Sequence, residues 1–197
     1  MCTERLACYL RGGRAPGGSR THSGCRDARP PERAEPVVLP GLLYFALESA
    51  VWGGGMAFYD PAGVGEVPAR AHLLTTGQFG DIAAQEMHRE PGSELLLARA
   101  LGVGRDRLGP GRYETLVCPG FLDGIPVLTF TAPDALADAD LATPRAAYLR
   151  TIAAGLVQAH GWSLWRAADY LSTRPGAAAR WSPATLLWAL EDMAGGG

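Results

Sequence analysis

The chain has 197 residues and 20.8 kDa, with a formal net charge of −2 and 19% charged residues. That length suits one domain with a substantial core, and the near-neutral balance excludes the basic footprint of a nucleic-acid or anionic-membrane binder. All 18 basic residues are Arg, which beside abundant Ala, Gly and Pro reads as the coding bias of a GC-rich genome and carries no functional weight.

The chain opens with helical spacing over residues 1–10, at Leu6, Cys8, Tyr9 and Leu10, and Gly12-Gly13 ends the run. Residues 14–40, rich in Gly, Pro and Arg, read as one long loop within the domain. Residues 42–47 form an apolar run of strand length. Trp52-Gly53-Gly54-Gly55 interrupts before a second strand at 56–59, and glycines there allow a sharp turn or the close approach of another backbone or a ligand. Residues 69–74 are a third strand, 95–101 a short helical segment, and 113–118 and 127–131 two strands joined through the turn signal Asp123-Gly124. Three helices close the chain, entered at Thr143-Pro144, Ser163 and Ser182-Pro183. Tyr148, Ile152, Leu156, Leu164, Ala168, Leu171, Leu186 and Leu190 face inward, and the Trp residues are most simply core or helix-packing residues. Strands come mostly first and helices last, so the class is α+β.

The stretch 73–92 organises the chain. Thr75 and Gln78 have the spacing of a capping box, and Pro91-Gly92 stops the helix. Phe79, Ile82, Ala83 and Met87 form its apolar stripe, with Glu86 in the middle of it, and Asp81, His88 and Arg89 take the solvent side. A carboxylate on an apolar helix face is costly to leave unpaired, which is how a general acid/base is usually made; equally, a Glu near a helix end often leans out or pairs with Arg.

Other chemistry finds less support. Cys2, Cys8, Cys25 and Cys118 have no CxxC spacing, and His22, His72, His88 and His160 are scattered, so neither a disulfide framework nor a metal site is expected and no cofactor is implied. Gly102-Val103-Gly104 lacks the preceding strand and third glycine of a dinucleotide loop, and no GxSxG or Walker loop occurs. No apolar run approaches a membrane span and the first residues have no signal-peptide core, so a cytoplasmic protein without a membrane partner is the default.

The order of these segments resembles the γ-glutamylcyclotransferase-like family, whose fold is a small closed mixed β-barrel flanked by helices. Members open with a strand ending in Tyr-Gly-Ser-Asn and a helix similar to Met1-Cys2-Thr3-Glu4-Arg5-Leu6. A Trp-x-Gly-Gly segment and strand follow, similar to Trp52-Gly53-Gly54-Gly55-Met56-Ala57. Next come a strand and a helix carrying the catalytic Glu, whose place Ile82-Ala83-Ala84-Gln85-Glu86-Met87 occupies. The resemblance covers about residues 1–171 and implies a single domain over 1–173, with 174–197 as a C-terminal helical extension. It implies Glu86 as the catalytic carboxylate, with Trp52, Gly53, Gly54 and Phe130 on the substrate side. Phe130 stands where the family often has a Tyr, and the Leu-Asp…Gly flanks of the Glu are changed.

The family's first strand and its Tyr-Gly-Ser-Asn loop have no counterpart, so the barrel is expected to lack that strand. The further expectation is of a truncated gene product or a wrongly assigned start, weak or inactive beside a longer form. The implied reaction is intramolecular: the α-amine of a small γ-glutamyl amide attacks its own γ-carbonyl, releasing an amine and 5-oxoproline without metal or cofactor. One carboxylate can carry both proton transfers and backbone amides the oxyanion term. Two alternatives stay open, a non-catalytic binding or assembly member of the same fold and a metal-dependent deacylase of the histone deacetylase type. Which amine leaves, and the oligomeric state, are not written in the sequence.

Overall fold

The computed structural model describes residues 3–14, 20–92 and 94–192. Met1 and Cys2 of the expected first helix, residues 15–19 of the expected loop and residues 193–197 of the expected extension lie outside these. The described chain is mixed α+β, with α1 (Thr3–Arg11), β1 (Gly13–Arg14), β2 (Thr21–His22), β3 (Ala34–Pro40), β4 (Leu42–Glu48), β5 (Gly55–Asp60) and β6 (Glu66–His72) in its first part. It continues with α2 (Thr76–Glu86), α3 (Ala98–Val103), β7 (Arg105–Arg107), β8 (Thr115–Leu122), β9 (Ile125–Thr131), α4 (Ala146–His160), α5 (Leu164–Ser172) and α6 (Pro183–Asp192).

The strands form small antiparallel sheets, β1 with β2, β3 with β6, β4 with β5, and β7-β8-β9. The expected loop over 14–40 is therefore corrected, because its last residues are a strand. Pro36 and Pro40 hide β3 in the sequence, since proline suits only the edge of a ladder, and among the described residues β3 pairs on one side alone, with β6. Gly41, at φ 120°, swings the chain from β3 straight into β4; a side chain there would meet Asp60 O at 2.5 Å.

Side chains carry the sheets past their ladders. Tyr59 N on β5 donates to Thr131 Oγ1 on β9 at 3.1 Å, and that hydroxyl donates back to Tyr59 O. Tyr59, Val67 and Val117 share one buried cluster with Leu39 and Leu43, so strands of all three larger sheets meet there. Leu47, at φ 53°, marks a bulge in β4, where its N–H turns to Asp140 O. β8 and β9 join through Asp123 and Gly124, both at positive φ, as the Asp-Gly signal requires of a tight hairpin.

The largest core cluster joins Phe45 of β4 to Leu149 and Leu156 of α4, Leu171 of α5, and Leu186 and Leu190 of α6. The expected C-terminal extension thus shares the core of the domain. Ser163 caps α5 and Ser182 lies at the start of α6, accepting from Thr185 N. Thr143-Pro144 does not cap α4, which begins two residues on from Pro144. Thr143 O is already taken by Gly55 N, and Arg145 occupies the N-cap. Trp52, Trp162 and Trp181 pack on the core, but Trp165 and Trp188 are exposed, Trp188 at 69%.

Candidate functional site

α2 is built as its sequence dictates. Thr75 Oγ1 accepts from Gln78 N at 3.1 Å while Gln78 Oε1 accepts from Thr75 N at 3.1 Å, a complete capping box. Ile82 packs with Leu6, Tyr9 and Leu10 of α1. The other side of the helix is not wet. Asp81, expected in solvent, is buried at 1% and accepts from Arg26 N at 2.9 Å, from the Arg26 guanidinium at 3.0–3.2 Å and from Gly92 N at 3.1 Å. Burial pushes its carboxyl up, and the Arg26 and Gly92 hydrogen bonds outweigh that and hold it below its ordinary value. Gln85 is equally buried: its amide accepts from Gly24 N and donates to Tyr9 O at 3.0 Å. The polar face of α2 is thus the seat of the segment that follows β2.

Glu86, the last residue of α2, is half-buried and lines a cavity of about 500 Å³. Its Oε1 accepts the Tyr9 hydroxyl of α1, the one hydrogen bond Glu86 makes with its side chain among the described residues. Tyr9 is buried; burial first, then the neighbouring Glu86, hold its phenol above the usual range, so it stays a donor. One turn earlier on the same face, Arg5 Nη2 donates to Tyr9 Oη over a long 3.5 Å. The ring of His22 lies 4.1 Å from that of Tyr9, and its Nδ1 is buried without a partner among the described residues. Burial first, then Arg20 and Arg5, push the His22 imidazole down to about 4, so it is neutral at pH 7.

The opposite wall comes from the glycine segment and two tyrosines. Ser49 Oγ accepts from Val51 N at 3.2 Å and Trp52 N at 3.1 Å, and Gly53 N donates to Ser49 O at 2.7 Å, which fixes the turn carrying Trp52. A Cβ at Gly54 would meet Thr143 O at 2.7 Å and one at Gly55 would meet Ala142 O at 2.0 Å. The glycines admit the backbone that leads into α4. Arg5 lies 5.9 Å over the Trp52 ring, and Trp52 packs 5.3 Å from Tyr148. Ala57 anchors both tyrosines, donating its N–H to Tyr148 Oη at 3.2 Å and accepting from Tyr113 Oη at 3.0 Å. Tyr148 therefore keeps a hydroxyl proton with no acceptor among the described residues.

Of the residues expected at the site, Glu86 and Trp52 line the same cavity. Gly53 and Gly54 stand beside it in the turn that holds Trp52. Phe130 lies elsewhere, stacked on Phe79 at 4.9 Å in the cluster between α1 and α2. Arg5, Tyr9, His22, Tyr113 and Tyr148 were not expected as site residues. A signal existed for Arg5 and Tyr9 alone, a cation and a phenol one helical turn apart. Among the described residues no His, Cys, Asp and Glu side chains gather in a group that could hold a metal ion, and no helix is long and apolar enough to cross a membrane. Comparison with family models, with curated proteins and with solved structures finds no match.

Proposed function

We propose that the protein is an enzyme of the γ-glutamylcyclotransferase type, cyclising a small γ-glutamyl amide to 5-oxoproline with release of an amine. The observation that carries this reading is the Glu86 carboxylate at a cavity wall, bonded by a buried tyrosine and, among the described residues, by no cation. Glu86 takes a proton from the substrate's α-ammonium, and the freed amine attacks the γ-carbonyl carbon. Charge gathers on the carbonyl oxygen, where the spare Tyr148 hydroxyl proton is the donor at hand. Collapse of that intermediate breaks the amide C–N bond as protonated Glu86 returns its proton to the leaving nitrogen. The ring nitrogen then gives its second proton to the Glu86 carboxylate so regenerated, which passes it to the released amine, leaving neutral lactam nitrogen and an ammonium. Tyr9 holds the carboxylate in one orientation through these transfers. We further propose that the sheets close round the cluster of Tyr59, Val67 and Val117 as a barrel without the family's first strand. A cytoplasmic protein whose partner is a small molecule and not nucleic acid goes with this reading.

The test offers the purified protein a panel of γ-glutamyl amides and their N-acetyl derivatives, scoring 5-oxoproline and free amine. Release of both products from free-amine substrates, with none from acetylated ones, is expected because the amine is the nucleophile. Amine release from the acetylated amides at an equal rate would mean hydrolysis and overturn the reading. No release from any free-amine amide would leave a binding protein of the same fold.

A further inference from the structure

Three arginines, Arg5, Arg20 and Arg112, line the Glu86 cavity and a fourth, Arg89, is bonded to its lining residue Glu114; all but Arg5 are committed to the protein. Arg20 donates to Gln85 O at 2.6 Å, Arg112 to Glu48 O, and Arg89 pairs with Glu114 at 2.7 Å. Arg5 differs. Its guanidinium has five N–H donors, yet among the described residues it makes no ion pair and only the 3.5 Å bond to Tyr9 Oη. It is half-buried, flanked by the Trp52 ring and by Tyr9, so its position is set by packing while its donors stay open. A guanidinium removed from water without an acceptor is costly, and a planar carboxylate is the ligand its fork fits best.

We infer that Arg5 is the anchor for the α-carboxylate of the ligand, an amino-acid-type carboxylate held between Trp52 and Tyr9. The inference builds on the cyclotransferase reading and adds a geometric reason. In a γ-glutamyl amide the α-carboxylate and the α-ammonium sit on one carbon. The anchor for the first must therefore lie beside the base for the second, and Arg5 and Glu86 are separated by a single hydroxyl, that of Tyr9. Held this way, the substrate delivers its ammonium to Glu86 and leaves its amide end toward the Tyr148 wall.

The probes are 5-oxoproline and its carboxylate-free analogue 2-pyrrolidinone, titrated onto the full chain by calorimetry or ligand-observed NMR, with inorganic phosphate as a third ligand. The parent is expected to bind 5-oxoproline roughly 10-fold or more tighter than 2-pyrrolidinone, the scale of a charge-assisted hydrogen-bond pair. Arg5→Gln should bind the two lactams about equally. Arg5→Lys, which keeps the charge and is the fallback should Arg5→Gln not fold, should lose at least about 3-fold of the preference because it lacks the fork. Equal binding of the two lactams by the parent, an unchanged preference in either variant, or phosphate bound as tightly as 5-oxoproline would overturn the assignment. Absence of 5-oxoproline release by the parent would instead count against the cyclotransferase reading, and the binding result stands apart from it.

Discussion

On α2, Asp81 is surrounded and Glu86 is left open. Asp81 meets a guanidinium, that residue's own N–H and the Gly92 N–H, so every lone pair has a partner and the charged form is favoured despite burial. Among the described residues Glu86 meets one phenol, at the edge of a cavity. A carboxylate saturated with donors is a structural tie, and moving a proton onto it would break the contacts it exists to make. One held by a single neutral donor keeps lone pairs for a ligand and can exchange a proton without loosening the fold. The two sides of this helix differ in the number and charge of each carboxylate's partners more than in helix position, and it is on that difference that the proposed role of Glu86 rests.

The comparison can be broken or sharpened by variants on each side. The largest effect is expected from Glu86→Gln combined with Tyr9→Phe. The first change should lower 5-oxoproline release by about 10²–10⁴-fold, the range of general acid–base catalysis, and adding the second should cost little more, because the pair acts as a unit. Additive losses would separate Tyr9 from Glu86. Tyr9→Phe alone should reduce the rate roughly 10- to 100-fold, as befits one hydrogen bond to a charged group. On the other side, Asp81→Asn should lower the melting temperature by about 5 °C and leave the rate per folded molecule near that of the parent.

The smallest effect is a matter of pH. His22 has its folded value lowered from 6.5 to about 4, so the unfolded chain binds the extra proton first; stability is full above 6.5 and falls as pH drops toward 4. His72 is lowered likewise, chiefly by burial, and adds to the same window. Asp81, lowered from 3.8, adds a loss only as the pH falls below that value. Thermal melts across pH 3–8 should therefore show His22→Gln flattening the upper slope and Asp81→Asn the lower one. A His22→Gln profile parallel to that of the parent from 4 to 6.5 would contradict the burial of that ring.

What could be read in advance was what is local. The Thr75–Gln78 capping box, the Asp123-Gly124 hairpin and the Ser163 cap each need residues a few positions apart, and each formed. Asp81 was misplaced because its partner Arg26 lies in a segment with no periodicity, and a polar helix face looks the same in sequence whether water or a loop covers it. β3 was hidden by its prolines, which an edge strand tolerates. Thr143-Pro144 is a sound helix entry by itself, yet the glycine segment claims Thr143 O. The position of Glu86 on its helix was legible, but its neighbours were not: Tyr9 is 77 residues away, and Tyr113 and Tyr148 reach the cavity through Ala57.

The most direct test of the contrast between the two carboxylates measures 5-oxoproline release by Glu86→Gln and Asp81→Asn side by side, at equal concentrations of folded protein. A γ-glutamyl amide that the parent turns over serves as substrate. Glu86→Gln is expected to melt within a few degrees of the parent while its rate falls by at least about 10²-fold, and Asp81→Asn to melt lower with its rate retained. Equal rates in the two variants, or the greater loss in Asp81→Asn, would contradict the assignment of proton transfer to Glu86.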